Sequence, residues 1–146
     1  MLRRSRHLLV VIVAAAVLAG CGADGGEERS AGTAAPGGGD LAVDRALDRR
    51  GEADVTIEVS DNVFEPRAVR IDPGSTVTWT NTGLNTHNVM PAEEGRFEPV
   101  PTGSLDPKAS ASRTFSAPGV YRYYCSIHGT ATRGQRGVIV VGDDGL

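Results

Sequence analysis

The chain has 146 residues, 18 acidic against 15 basic, and a formal charge of −3. That length suits one domain of ordinary size, and an acidic chain without basic clusters is not built to bind nucleic acid. Hydrophobic residues make up 40% of the chain, enough for one core.

Arg3, Arg4 and Arg6 precede an apolar run over residues 8–19. The run is short of the roughly 20 residues a membrane-spanning helix needs, and it reads as the core of an export signal over residues 1–20. Leu18, Ala19, Gly20 and Cys21 follow as a bacterial lipobox, which would leave Cys21 lipidated at the new N-terminus. The alternative is an ordinary signal cleaved at small residues. Removing residues 1–20 takes away three arginines and no acid, so the exported chain would carry −6. A partner steered by charge should then present a basic face.

Residues 22–39 are rich in Gly, Ala and small polar types. Residues 21–52 are therefore expected to form a flexible tether, with some helical character over residues 40–50. A tether of that size spans roughly 30 Å.

From Val55 the pattern turns to period two. Val55, Ile57 and Val59 alternate with polar residues, then Val69 and Ile71, then Val77 and Trp79 among threonines. Turn signals separate the runs at Asp61-Asn62, Asp72-Pro73-Gly74 and Asn81-Thr82-Gly83. Further strands are expected over 112–116, 120–125 and 137–141. The result is an all-β sandwich over residues 53–142 with a tail at 143–146. Its core is drawn from Val55, Ile57, Val59, Val69, Ile71, Val77, Trp79, Phe115, Tyr121, Tyr123, Ile139 and Val141.

There are two cysteines and three histidines in the chain. If Cys21 carries lipid and His7 leaves with the signal, the domain keeps Cys125, His87 and His128. An unpaired thiol in an exported protein asks for a reason. His128 stands three residues after Cys125, and His87 follows the Trp79 strand and its turn. One thiolate with two imidazoles suits a copper ion cycling between Cu(I) and Cu(II), since the thiolate satisfies the soft state and imidazole suits both. A buried free cysteine beside two unrelated histidines is the competing reading.

The run Val120-Tyr121-Arg122-Tyr123-Tyr124-Cys125-Ser126-Ile127-His128, followed by Gly137-Val138-Ile139-Val140-Val141, resembles the closing strands and ligand loop of the cupredoxins, the plastocyanin and azurin family. Phe64-Glu65-Pro66, Pro73-Gly74, Val77-Thr78-Trp79 and His87-Asn88-Val89 resemble its earlier half. The resemblance implies a Greek-key β-sandwich with one copper ion at one end. It also implies a one-electron carrier, not an enzyme, serving redox proteins of the cell envelope.

One departure stands out. The family's usual axial Met is missing from the loop after His128, and Met90 is expected to pack near the rim. Gln135 stands where that Met would fall, and stellacyanin-like members use Gln there. Axial ligation by Gln135 and a three-coordinate copper both remain open. The resemblance further suggests that Asn88 bonds to Ser126, that the Thr86 carbonyl approaches the metal opposite Gln135, and that Tyr124 belongs either to a docking surface or to an ordinary exposed strand. Storage or delivery of copper is the second functional reading, and a metal-free adhesion sandwich the third. The expected product is a monomer, lipid-anchored at the outer face of the bacterial cytoplasmic membrane.

Overall fold

The computed structural model describes residues 41–143; the expected export signal, Cys21 and residues 144–146 lie outside them. Among the described residues ten strands form two sheets. They are β1 (Leu47–Asp48), β2 (Asp54–Ser60), β3 (Val63–Glu65), β4 (Ala68–Ile71) and β5 (Ser75–Asn81), then β6 (His87–Pro91), β7 (Val100–Leu105), β8 (Ser110–Phe115), β9 (Gly119–Gly129) and β10 (Gly134–Val141). The first sheet runs β1-β4-β10-β9-β6-β7 and the second β3-β2-β5-β8.

Alternation along the chain sets which sheet face is inside. In β2 and β5, Val55, Ile57, Val59, Val77 and Trp79 are buried, while the threonines and Glu58 between them point outward. All twelve residues expected in the core are buried, joined by Phe64, Val89, Val100, Leu105 and Cys125. Trp79, Tyr123 and Phe64 pack edge to face at the centre, with ring centroids 4.9 Å (Phe64–Tyr123) and 5.6 Å (Trp79–Tyr123) apart. Tyr123 opposes Gly137 across the β9–β10 ladder, and a Cβ at 137 would strike its ring.

The domain starts earlier than expected. Residues 41–50 hold one 3-10 turn, Val43–Arg45, and then β1, which pairs in parallel with β4. Leu41 is buried against Val138 and Val140, whose side chains leave the outer face of β10, with Val43, Ala46 and Ala68 around them. That apolar outer face, together with the open edge of β4, captures the segment that composition assigns to a tether. Covering the edge with β1 and the Arg49 N–H to Arg70 carbonyl bond (2.8 Å) also removes a strand left unpaired.

The short strands β3 and β7 lack a readable alternation. β7, Val-Pro-Thr-Gly-Ser-Leu, buries only its two ends.

Candidate metal centre

β6, β9 and β10 are neighbours in the first sheet, so residues distant in sequence meet at one end of it. His87 opens β6, Cys125 and His128 lie near the end of β9, and Gln135 near the start of β10. The Nδ1 atoms of His87 and His128 lie 3.7 and 3.6 Å from Cys125 Sγ. All three ligating atoms fall within 4.8 Å of one another. Cys125 and His87 are fully buried and His128 is half-buried, which places the group just beneath the surface.

The β9–β10 hairpin is shaped for this. Gly129 and Gly134 face each other, and a Cβ on Gly134 (φ +75°) would strike the His128 carbonyl. Between them Thr130 N–H donates to the Arg133 carbonyl at 2.8 Å. A register shift between Gly134 and Arg136 then turns Gln135 inward, as a bulge re-aims a side chain. Gln135 is 1% exposed. Its Nε2 donates to the carbonyls of Ser60 (3.1 Å) and Val63 (3.0 Å), which can only accept, so the amide oxygen must face the other way. That oxygen lies 2.9 Å from His87 Nδ1.

These donors fit a metal ion. Bonds of about 2.0 Å to nitrogen and about 2.3 Å to sulfur, the values for zinc, give N···S separations of roughly 3.5–3.7 Å between tetrahedral and trigonal arrangements. The two observed separations match. When the His87 proton sits on Nε2, the lone pair of Nδ1 faces the lone pairs of Gln135 Oε1, an opposition that a cation removes. Burial, and then the proximity of His128, push the His87 imidazole below its usual protonation range, which favours the neutral ligand form.

A ring of polar contacts fixes the ligand segments. Asn88 Nδ2 donates to Ser126 Oγ (2.8 Å) and Thr102 Oγ1 (2.9 Å), and Asn88 Oδ1 accepts from the Ser126 N–H at 2.8 Å. The bond expected between Asn88 and Ser126 is therefore present in two parts, with Thr102 as a third member that the sequence did not suggest. Thr86 Oγ1 donates to Asp106 at 2.7 Å. Asn81 Nδ2 donates to the carbonyls of Asn85 (2.8 Å) and Leu105 (2.9 Å), while its Oδ1 accepts from Gly83 N–H, folding the turn that leads to His87. Asn81 was readable only as a turn residue, yet it continues the inward series of Val77 and Trp79, and a polar residue at such a position is the available signal. Asp61 is a second addition: its Oδ1 lies 3.6 Å from His87 Nε2. Met90 sits opposite Tyr124 across the β6–β9 ladder and lines a groove with it.

The fold and this donor set define a small β-sandwich metal protein of the cupredoxin type. The family described as copper binding proteins, plastocyanin/azurin family, matches residues 51–142, and the chain belongs to it. Plastocyanin of Scenedesmus fuscus is 34% identical over 103 residues, covering 60% of this chain and 99% of that protein. Amicyanin-alpha of Methylorubrum extorquens is 37% identical over 73 residues, 49% of this chain and 61% of the relative. Among solved structures, a purple cupredoxin from Nitrosopumilus maritimus is similar with a TM-score of 0.52 and 27% identity, covering 61% of this chain and all of that one.

Proposed function

We propose that the chain is a one-electron carrier in which His87, Cys125 and His128 hold a single copper ion, with Gln135 Oε1 as the axial oxygen. The observation that carries this is the pair of N···S separations, 3.7 and 3.6 Å, closed around a buried thiol. Copper there supplies one electron at a time between Cu(II) and Cu(I). The chain's own part is to hold the donors still. The two carbonyls fix Gln135, Asn88 ties the β6 and β9 segments, and Asn81 holds the loop before His87. A site that does not rearrange keeps the cost of changing oxidation state low. Thr86, whose carbonyl precedes His87, is proposed as the group opposite Gln135.

Burial also argues against the storage or delivery reading. Handing a metal on in steps needs exposed soft ligands, whereas the one thiol of the domain is 0% exposed.

Tyr124, next to Cys125, lines a groove with Met90, Glu94, Phe97 and Glu98. We assign this acidic, aromatic rim to a redox partner with a basic face. Cys21, lipidated, holds the protein as a monomer at the outer face of the bacterial cytoplasmic membrane. Support for the anchor is the motif at residues 18–21 behind its apolar run. Residues 41–48, expected as part of the tether, instead pack against the first sheet.

The decisive experiment adds Cu(II) to the purified exported chain and records the visible spectrum. An intense thiolate-to-copper absorption, bleached by reductant and absent in Cys125→Ser, is expected. Copper lost to a competing apo-protein during redox cycling would favour delivery instead. No absorption in the parent protein would remove the copper assignment.

A further inference from the structure

His87 Nε2 is buried and has no hydrogen-bond partner among the described residues. If Nδ1 faces the ion, the ring's proton must reside on Nε2. The group placed to answer that proton is Asp61 Oδ1 at 3.6 Å, from the turn between β2 and β3. This is longer than a hydrogen bond, but well inside the range of a charge on a dipole.

The position of that carboxylate is built rather than incidental. The same Oδ1 accepts from the backbone N–H groups of Leu84 (3.3 Å) and Asn85 (3.2 Å). The loop can close over it only because residue 83 is glycine: a Cβ there would lie 2.7 Å from Asp61 Oδ1 and 3.0 Å from the Asp61 nitrogen. Gly83 N–H is meanwhile held by Asn81 Oδ1 at 2.9 Å. Three separate features thus keep one negative charge beside the buried imidazole.

Resting on the copper reading above, we propose that Asp61 is a positioning residue of the metal centre. It selects the Nε2–H form of His87, leaves Nδ1 free for the ion, and lowers the reduction potential by favouring the doubly charged metal. Carboxylates behind metal-bound histidines raise ligand basicity, and their loss typically weakens metal binding by about 10- to 100-fold. The Asp61 side chain is 38% exposed, so solvent screens part of its field and the lower end applies.

The test compares Asp61→Asn with the parent chain. Asn keeps an oxygen for the Leu84 and Asn85 N–H groups and removes the charge. Two quantities are read: Zn(II) affinity of the apo-protein by competition with a chromophoric chelator, and the midpoint potential of the copper form. A loss of about tenfold in Zn(II) affinity is expected. So is a rise of about 59 mV, the one-electron equivalent of a tenfold shift in Cu(II)/Cu(I) preference. Asp44→Asn, which removes the same charge from the 3-10 turn, should change neither. If Asp61→Asn perturbs the fold in circular dichroism, Asp61→Ser repeats the test with an uncharged oxygen on a shorter side chain. An uncharged variant that folds and matches the parent in both quantities overturns the proposal and leaves Asp61 a loop staple. A parent chain without the Cys125-dependent absorption fails the copper reading itself, which is a separate result.

Discussion

Along the outer face of the second sheet, Thr76, Thr78 and Thr80 on β5 meet Thr114, Ser112 and Ser110 on β8 in hydroxyl pairs of 3.0, 2.8 and 3.0 Å. At the metal end, Asn81, Asn88 and Gln135 make contacts of similar length, but each is at most 2% exposed. The lengths say the regions are alike; the surroundings say they are not. An outer hydroxyl that loses its partner turns to water. A buried amide that is removed strands the groups it served, and each stranded group costs about 1–3 kcal/mol. Polar contacts therefore decorate one face of this molecule and define the other.

The largest loss is expected at Asn81. Asn81→Ala abandons the carbonyls of Asn85 and Leu105, leaves Gly83 N–H with the Val59 carbonyl at 3.2 Å, and should lower stability by about 3 kcal/mol in denaturant titration of the apo-protein. Because the loop before His87 loosens with it, copper should also be lost faster to a chelator. Asn88→Ala releases Ser126 and Thr102 nearer the surface and should cost about 2 kcal/mol. A loss under about 0.5 kcal/mol in both would show that water replaces these amides.

Gln135→Met separates structure from tuning. It frees the Ser60 and Val63 carbonyls, a cost of about 1–2 kcal/mol, and exchanges a hard oxygen for a soft thioether beside the ion. The midpoint potential should rise, by about 59 mV for each tenfold gain in preference for Cu(I). Voltammetry of the copper-loaded variant checks this. A lower stability with an unchanged potential would keep Gln135 as a brace and strike it from the ligand set.

Much of the fold is legible in the sequence. Period two in residues 55–59 and 77–79 marked β2 and β5 correctly because one face of each strand is wet. The same rule hid the role of Val138 and Val140: β10 is buried on both faces, so it reads as an unbroken apolar run with no hint of what covers its outer side. That cover is Leu41 and its neighbours, whose composition resembles a linker. At the metal end, Cys125 and the two histidines were legible as rare residues, and Gln135 by its place in a known loop. Asp61 was not. An Asp-Asn pair at a strand end is an ordinary turn signal, and only the packing of the 83–85 loop against it shows the second use.

The smallest effect belongs to the outer ladder and is the more demanding test. Thr78→Val keeps the β-branched shape that suits a strand and deletes one hydroxyl from the pair with Ser112. Ser112 is exposed, so its hydroxyl turns to solvent and no group is left stranded. The change should stay within about 0.5 kcal/mol, as is usual for surface substitutions away from caps, networks and cores. Thr78 also lies one residue from Trp79, whose edge-to-face contact with Tyr123 centres the core. A loss above about 1 kcal/mol in the same titration would mean that the ladder sets the pleat on which Trp79 is carried. The hydroxyl face would then be as structural as the amide face, and the division between them would rest on burial alone without the energetic consequence claimed for it.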